Sequence, residues 1–384
     1  MNAPTPTLSL ATQEDLDAIG AAQSPSGETK RAPANLASLF PRPVTLGYLL
    51  SQPAPPPVDF VFPGLPAGQL GILAGPDASG KSGIAMQIAL SVASGLPTAG
   101  GILPAPAATG RVLYIMGEDD QDAVNRKMRL IRTHIISEAV ANRPNEVDQV
   151  HARLEDAEGN LSFVCLNGQR RPLLKAARWA SEPEETEFAR GLIDLMRGFR
   201  LTVIDPMVMF HAVSESDNGH MDAFARLLIR SAQQDRKQAG AVLLLHHTSQ
   251  EAMLNSRDDH QAGRGGTGLG SAARAIFVIR KMSAKERRAT EVDARIGRII
   301  RGPKISHGEE RGRVAAIIHS DGVLWKADAD THEALEELQR KEDEKEMQMS
   351  GLEKKSSNQN KRATTDGMKR GTTTRILGDD EKLF

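Results

Sequence analysis

Residues 75–83 have the residue types and spacing of a phosphate-binding loop. The run Gly75-Pro-Asp-Ala-Ser-Gly80-Lys81-Ser82-Gly83 matches the pattern Gly-x-x-x-x-Gly-Lys-Ser. Its glycines let the backbone curl, so that N–H groups and the N-terminus of the next helix face an anion. Lys81 would reach the β- and γ-phosphates, and the Ser82 hydroxyl would ligate Mg²⁺. The predicted nucleotide contacts are Gly75, Pro76, Asp77, Ala78, Ser79, Gly80, Lys81, Ser82 and Gly83.

The segments on both sides of this loop are those that a phosphate-binding loop needs. Leu70 to Ala74 is a short apolar run, typical of a buried parallel strand. Residues 84–93 are apolar almost all round at helical spacing, and Gly95 and Pro97 follow as stop signals. A chance match in a chain with 34 glycines is the alternative, and the strand and helix count against it. The sequence therefore predicts that the protein binds ATP or GTP.

Polar side chains follow three other apolar runs, where each predicted strand ends. Glu118 comes after residues 111–116, Asp205 closes residues 201–204, and His246-His247 close residues 241–245. Ligands of open parallel sheets bind beyond the carboxyl ends of the strands, so these groups are predicted to share one site.

Each of these groups has a second interpretation. Asp205 is expected in the Mg²⁺ shell, although Asp-Pro is also a turn signal. Glu118 is expected to polarise the attacking water, whereas an acid there, Glu118 or Asp119, could instead cap a helix. His246 could sense the γ-phosphate, or it could be a hydrogen-bonded buried histidine.

Alternating apolar runs and helical patterns predict an α/β fold with a mostly parallel sheet flanked by helices. Runs at 275–279, 296–300, 314–318 and 323–325 are predicted to close the sheet as antiparallel strands. The predicted organisation is a flexible arm with a Pro-rich linker over residues 1–57, an ATPase domain over 58–330 and a charged, disordered tail over 331–384, with a short helix possible at its start.

The composition limits the possible partners. Lys and Arg total 48 against 49 Asp and Glu, so nucleic acid would have to be bound by local patches. The one cysteine, Cys165, excludes an intrachain disulfide framework. We expect a cytoplasmic protein with no membrane contact, because no apolar run has transmembrane length and no signal peptide is recognisable.

The motifs resemble those of the RepA-type hexameric helicases of plasmids and phages, which are RecA-like ATPases related to the DnaB replicative helicases. The resemblance lies in Pro63–Gly68 before the phosphate-binding loop, in Tyr114–Asp119 at the end of the strand predicted at 111–116, and in Leu244–His247. It covers about residues 58–330.

The resemblance implies a role for each matching residue. Lys81 and Ser82 are the Walker A pair, Glu118 is the catalytic glutamate, Asp205 is the Walker B aspartate, and the strand-end histidine is His247 or His246. An arginine finger reaching the neighbour's nucleotide falls on Arg264, or on Arg274 as second choice. Lys304 is implied at the same subunit interface.

Three functions follow as hypotheses. The first is an ATP- and Mg²⁺-dependent DNA helicase of plasmid or phage replication, a homo-hexamer acting with a primase or initiator. Its ring would hold single-stranded DNA by residues 153–180 and 249–266. The second is a RecA-like ATPase that serves as a regulatory or recombination switch without unwinding, which a low aromatic content of 4% favours. The third is a metabolic kinase, which the strand bearing Glu118 and the strand ending in His-His argue against.

Overall fold

The computed structural model describes residues 44–176, 182–235, 239–247, 267–305, 311–318, 321–345 and 347. The chain divides into two units, Met1–Pro57 and Val58–Phe384. In the first unit, Thr45 caps a short helix, α1 (Leu46–Ser51), because its hydroxyl accepts the N–H of Tyr48 at 3.2 Å. The apolar side chains of α1 are exposed. Within the described residues, no helix is both long and apolar enough to cross a membrane.

The second unit is built on one large sheet with helices on both faces. Its strands are β1 (Phe60–Phe62), β2 (Leu65–Pro66), β3 (Leu70–Gly75), β4 (Val112–Met116), β5 (Leu161–Cys165), β6 (Leu174–Lys175), β7 (Glu184–Glu185), β8 (Leu201–Asp205), β9 (His211–Ala212), β10 (Ala241–His247), β11 (Ala275–Lys281), β12 (Gly297–Ile305), β13 (Arg311–Ile318) and β14 (Leu324–Lys326). Its helices are α2 (Lys81–Ser94), α3 (Gln121–Asn142), α4 (Val147–Asn160), α5 (Glu187–Leu195), α6 (Asn218–Ala232), α7 (Thr267–Ala272), α8 (Ala284–Thr290) and α9, which covers residues 329–345.

The described strands of the large sheet follow the order β14-β13-β12-β11-β3-β10-β8-β4-β5. Neighbours from β11 to β5 are parallel, and β12, β13 and β14 continue the sheet as antiparallel strands. The predicted fold class is therefore confirmed, but the direction predicted for residues 275–279 is wrong. That run lies parallel to β3, with Ala275 opposite Gly71. An apolar run identifies a buried strand and carries no information about its direction.

The pleat of each central strand sorts its side chains between two cores. In β3, Leu73 packs on the side of α2, α3 and α4, whereas Leu70, Ile72 and Ala74 pack on the side of α5 and α6. Helix α2 is buried almost all round, and it ends at Gly95, whose φ of 75° is left-handed. The sheet thus holds the N-terminus of α2 at the carboxyl ends of β3, β8 and β10.

Residues 153–180 are not the continuous loop that the helicase hypothesis requires. Residues up to Asn160 belong to α4, and 161–165 form β5, which pairs in parallel with β4. Arg153 is held in this packing, because its guanidinium donates to the carbonyl of Gly95 at 3.0 Å. Within the described residues, the predicted loop is therefore wrong for residues up to Cys165.

The C-terminal strands carry a small core of their own beneath α9. It contains Met282, Ile299, Ala315, Ala327 and Leu335, the last of which lies on α9. Beside Met282, the guanidinium of Arg280 donates to both carboxylate oxygens of Glu286, at 2.8 and 2.9 Å. Glu286 also closes a capping box with Ser283 at the start of α8. Burial raises the pKa of Glu286, but the hydrogen bonds and charge of Arg280, together with hydrogen bonds from Ser283, outweigh it and lower the pKa from 4.5 to about 2.

We predict that this buried ion pair makes stability depend on acid pH. Because the folded-state pKa is depressed, the contribution of Glu286 is present above its unfolded-state pKa and is lost as the pH falls toward about 2. Glu286→Gln should lower the free energy of unfolding by about 3 kcal/mol at neutral pH. The gap between wild type and variant should close in acid, as measured by urea unfolding at several pH values. A gap of constant size would contradict this role of the carboxylate.

Candidate functional site

The phosphate-binding loop is shaped by contacts that only glycine permits at two positions. A Cβ on Gly75 would lie 2.4 Å from the carbonyl oxygen of Ile279 and 2.8 Å from the Ser79 hydroxyl. Gly80 has a φ of 101°, a conformation that other residues rarely adopt. The chain therefore passes in one tight turn from β3 into α2, whose first N–H groups open onto a cleft.

Lys81 folds back over this loop from the first residue of α2. Its ammonium donates to the carbonyls of Gly75 and Pro76, each at 2.8 Å. Burial lowers the pKa of Lys81, and the nearby carboxylates of Asp77, Asp205 and Glu118 act in the opposite direction. A buried ammonium so placed is a ready partner for an anion, since an ionised acceptor binds it more strongly than a carbonyl.

Asp205 lies at the carboxyl end of β8, and only 4% of its surface is exposed. The Tyr114 hydroxyl donates to its Oδ2 at 2.8 Å, and the Asp205 carboxylate also hydrogen-bonds the Ser82 side chain. Burial raises the pKa of Asp205, while those two hydrogen bonds lower it. This geometry favours the metal-ligand interpretation over the turn interpretation, because a carboxylate and a hydroxyl beside a phosphate site are ligands that Mg²⁺ prefers.

The three acidic residues after β4, Glu118, Asp119 and Asp120, make different contacts. Asp120 caps α3, accepting the N–H of Ala123 at 2.7 Å, so the cap suggested for Glu118 or Asp119 is wrong. Asp119 pairs with Lys127 at 2.5 Å. Glu118 remains exposed and lines the cleft. A carboxylate in this position suits the role of a base or an orienting group for water.

The two histidines at the end of β10 lie on opposite faces of the sheet. His247 lines the cleft, with its Nδ1 2.6 Å from Oδ1 of Asp77 in the phosphate-binding loop. His246 is buried and falls on the pleat position of Val242 and Leu244, on the α5 and α6 side. The structure thus brings His247 to the predicted site, and His246 fits the alternative of a buried histidine.

The cleft has a volume of about 590 Å³, and part of its wall could not be predicted from the sequence. Lys127 and Ile131 come from α3, and Asp321, Gly322 and Val323 come from the turn between β13 and β14. His134 on α3 holds this turn, because its Nε2 lies 2.5 Å from Oδ2 of Asp321. Asp321-Gly322 is a recognisable turn dipeptide, but no sequence signal places it over a loop more than 230 residues earlier.

Arg274, one of the residues predicted to act across a subunit interface, is not among the residues that line this cleft. The backbone N–H of Arg274 donates to the carbonyl of Leu70, at the opposite end of β3 from the phosphate-binding loop. Lys304 lies opposite Ile276 in the ladder between β11 and β12, and Ile276 lies opposite Ile72 in the middle of β3. Five residues of extended strand separate Leu70 from Gly75, which is about 16 Å. Arg264 and the predicted DNA loop 249–266 fall outside the described residues, so their roles stay predictions.

The basic cluster at 169–178 is partly committed to the fold. Arg170 donates to the carbonyls of Val208 and His211, at 3.1 and 3.0 Å. Lys175 lies 3.4 Å from Glu184, and Arg178 falls outside the described residues. Arg171 is exposed, with its guanidinium on the amide of Gln169. Among the described residues of this cluster, Lys175 therefore faces an acidic partner, whereas Arg170 and Arg171 are exposed and keep their positive charge.

The residues of the cleft fit a magnesium nucleotide. A polyphosphate would be bound by the glycine-containing loop, the Lys81 ammonium and the N-terminus of α2. A hard cation would be bound by the Asp205 carboxylate and the Ser82 hydroxyl. Glu118 and His247 also line the cleft, and Glu118 is exposed, so these two side chains are available to a water or a phosphate group. Such a set of groups is that of a nucleoside triphosphatase.

Comparison with known families agrees with the geometry. Residues 41–253 match the family described as an AAA domain. This chain belongs to that family. It is a P-loop ATPase domain with a RecA-like core, in which one strand, β10, separates the P-loop strand β3 from β8, the strand of Asp205. The predicted RecA-like fold is confirmed, and the RepA-type assignment within it stays a prediction.

Several solved structures match the chain at low identity. A DnaB-like replicative helicase is 14% identical with a TM-score of 0.43, over 68% of this chain and 58% of that one. A KaiC-like protein from Pyrococcus horikoshii OT3 is 12% identical with a TM-score of 0.41, over 71% and 99%. The RadB recombinase is 16% identical with a TM-score of 0.39, over 68% of this chain and 92% of that one.

Proposed function

We propose that this protein is an ATP-dependent DNA helicase of plasmid or phage replication, a ring-shaped motor that hydrolyses ATP at subunit interfaces. The observation that carries the ATPase part is the convergence of Lys81, Ser82, Asp205 and Glu118 on one cleft at the carboxyl ends of parallel strands. The DNA part rests on the resemblance of residues 114–119 and 244–247 to the RepA-type helicases.

In this proposal the residues of the cleft divide the work of phosphoryl transfer. When bound, Mg-ATP would supply the γ-phosphoryl group that passes to water, and the metal would offset charge on the leaving ADP. Lys81 leaves its two loop carbonyls and neutralises phosphate charge, while Asp205 and Ser82 hold the cation. Glu118 accepts a hydrogen bond from the attacking water and orients it in line. His247 contacts Asp77 of the loop and lies at the end of β10, so we propose that it senses the terminal phosphate.

The proposed ring gives a role to the basic residues Arg264, Arg274 and Lys304. Arg274 lies at the end of β3 away from its own P-loop, which supports a role at the nucleotide of a neighbouring copy, and Lys304 is proposed to act at the same interface. Arg264 is the proposed arginine finger, which stabilises charge in the transition state from the adjacent subunit. Hydrolysis then depends on assembly, with a homo-hexamer as the expected state. A primase or an initiator protein is the expected replication partner.

A second candidate is a RecA-like ATPase that switches a DNA-bound or regulatory assembly without unwinding. What favours it is the low aromatic content of the sequence, which is 4%. Tyr114 is buried, and the ring of Trp325 packs edge-on against His134 at 5.4 Å. Base stacking on aromatic rings is the usual way to hold single strands without reading sequence.

ATP hydrolysis with and without single-stranded DNA, on a sample whose mass is followed by light scattering, tests the proposal. A species near six subunits whose hydrolysis rises several-fold with DNA is the expected result, followed by unwinding of a tailed duplex. DNA-stimulated hydrolysis without unwinding would favour the switch. Hydrolysis by a monomer that is indifferent to DNA would overturn the helicase proposal.

A further inference from the structure

Tyr114 occupies an unusual position for a residue with a hydroxyl group. It lies in the middle of β4, none of its surface is exposed, and its ring stacks on Phe163 of the edge strand with centroids 5.6 Å apart. Phenylalanine would fill the same space. A buried phenol requires a hydrogen-bond partner, and here that partner is Oδ2 of Asp205 at 2.8 Å.

The contact joins neighbouring strands at the metal side of the cleft. Met116 lies opposite Asp205 in the ladder between β4 and β8, so Tyr114 reaches the carboxylate from two positions earlier on the same pleat face. Val112 and Met116 pack on that face too, which is the face of α2 and Ser82. Asp205 therefore lies between two hydroxyl groups, one from the sheet and one from the helix that begins at the P-loop.

We propose that Tyr114 is a positioning residue that fixes the Asp205 carboxylate beside Ser82 and thereby sets the affinity of the site for Mg²⁺. The proposal rests on the proposed function, in so far as it requires Mg-nucleotide in this cleft. Groups that hydrogen-bond a metal ligand hold it in orientation, and their removal typically weakens metal binding by about 10- to 100-fold. Here the Tyr114 hydroxyl, on a strand of the sheet, donates a hydrogen bond to the Asp205 carboxylate and holds it in orientation.

Tyr114→Phe isolates the hydroxyl, because the ring and its stacking on Phe163 are kept. The measurement is binding of a fluorescent ATP analogue, first in EDTA and then during titration with Mg²⁺. We expect the Mg²⁺ concentration for half-maximal effect to rise about 10-fold, with binding in EDTA changed less than about twofold. Tyr48→Phe is the matched control, since it removes the same hydroxyl from the other, exposed tyrosine of the chain.

The outcomes separate this proposal from a structural role and from the proposed function. An unchanged Mg²⁺ dependence would overturn the proposal and leave the nucleotide site standing. Equal losses with and without Mg²⁺ would also overturn it, because a hydroxyl that only supports the fold affects both conditions alike. Failure of the wild-type protein to bind the nucleotide under either condition would overturn both the proposal and the proposed function.

A second measurement avoids any dependence on how the Phe variant folds. With only two tyrosines in the chain, 3-fluorotyrosine gives two ¹⁹F resonances, which the Tyr48→Phe variant assigns. Addition of Mg²⁺ to the nucleotide complex should shift the Tyr114 resonance and leave that of Tyr48 in place. A Tyr114 resonance that does not respond to Mg²⁺ would overturn the proposal.

Discussion

Glu118→Gln should reduce ATP turnover by about 10²- to 10⁴-fold while nucleotide affinity stays within a few-fold of wild type. The amide keeps the size and reach of the side chain at the mouth of the cleft, but it cannot accept a proton from water. Lys81, Ser82 and Asp205, which account for binding, keep their hydrogen bonds. Phosphate release and binding of a fluorescent ATP analogue measure the two quantities separately.

The neighbouring acid provides the control for this prediction. Asp119→Asn removes a carboxylate from the same loop. Asp119 is the residue after Glu118, and its carboxylate is paired with Lys127. Because a partly exposed ion pair contributes little, turnover should change by less than about threefold. Similar rates for Glu118→Gln and wild type, or a larger loss in Asp119→Asn, would show that the catalytic carboxylate is assigned wrongly.

Most residues of the candidate site could be predicted because each lies in, or directly after, a short sequence pattern that can be recognised by itself. The P-loop spacing identified Lys81 and Ser82, and Asp205 and Glu118 follow apolar runs that could be assigned as strands. The sequence could not show which of His246 and His247 lies in the cleft. The pleat places them on opposite faces, but the sequence does not say which face of β10 carries α2. Only the packed sheet shows that His247 is the one that lines the cleft.

The features that sequence reasoning missed all depend on distant packing. The direction of β11 depends on the path of the chain before it, and an apolar run does not encode that path. The Asp321 turn reaches the cleft because β12 to β14 extend the sheet past the P-loop. Tyr114 was part of a recognised motif, yet its hydroxyl acquires a role only through the register of β4 against β8.

Lys81→Ala and Arg264→Ala should each abolish most turnover, but for different reasons. Loss of the Lys81 ammonium removes charge stabilisation within the cleft and should cost about 10²- to 10³-fold, together with nucleotide affinity. Loss of a finger that acts from the neighbouring subunit should cost about 10³-fold or more and leave affinity in place. Turnover and nucleotide binding on each purified variant distinguish the two patterns.

Mixing the two inactive variants tests whether the sites are shared between subunits. A site works if its own subunit carries Lys81 and its neighbour carries Arg264, which in a random equal mixture holds for about one quarter of the sites in a closed ring. Activity should therefore return to a sizeable fraction of wild type after exchange of subunits. A mixture of Lys81→Ala with Glu118→Gln, both defects lying in the same cleft, should not recover, since no site then has both groups. Absence of recovery with Arg264→Ala at every ratio would contradict the trans role of Arg264, and with it the argument that hydrolysis depends on the ring.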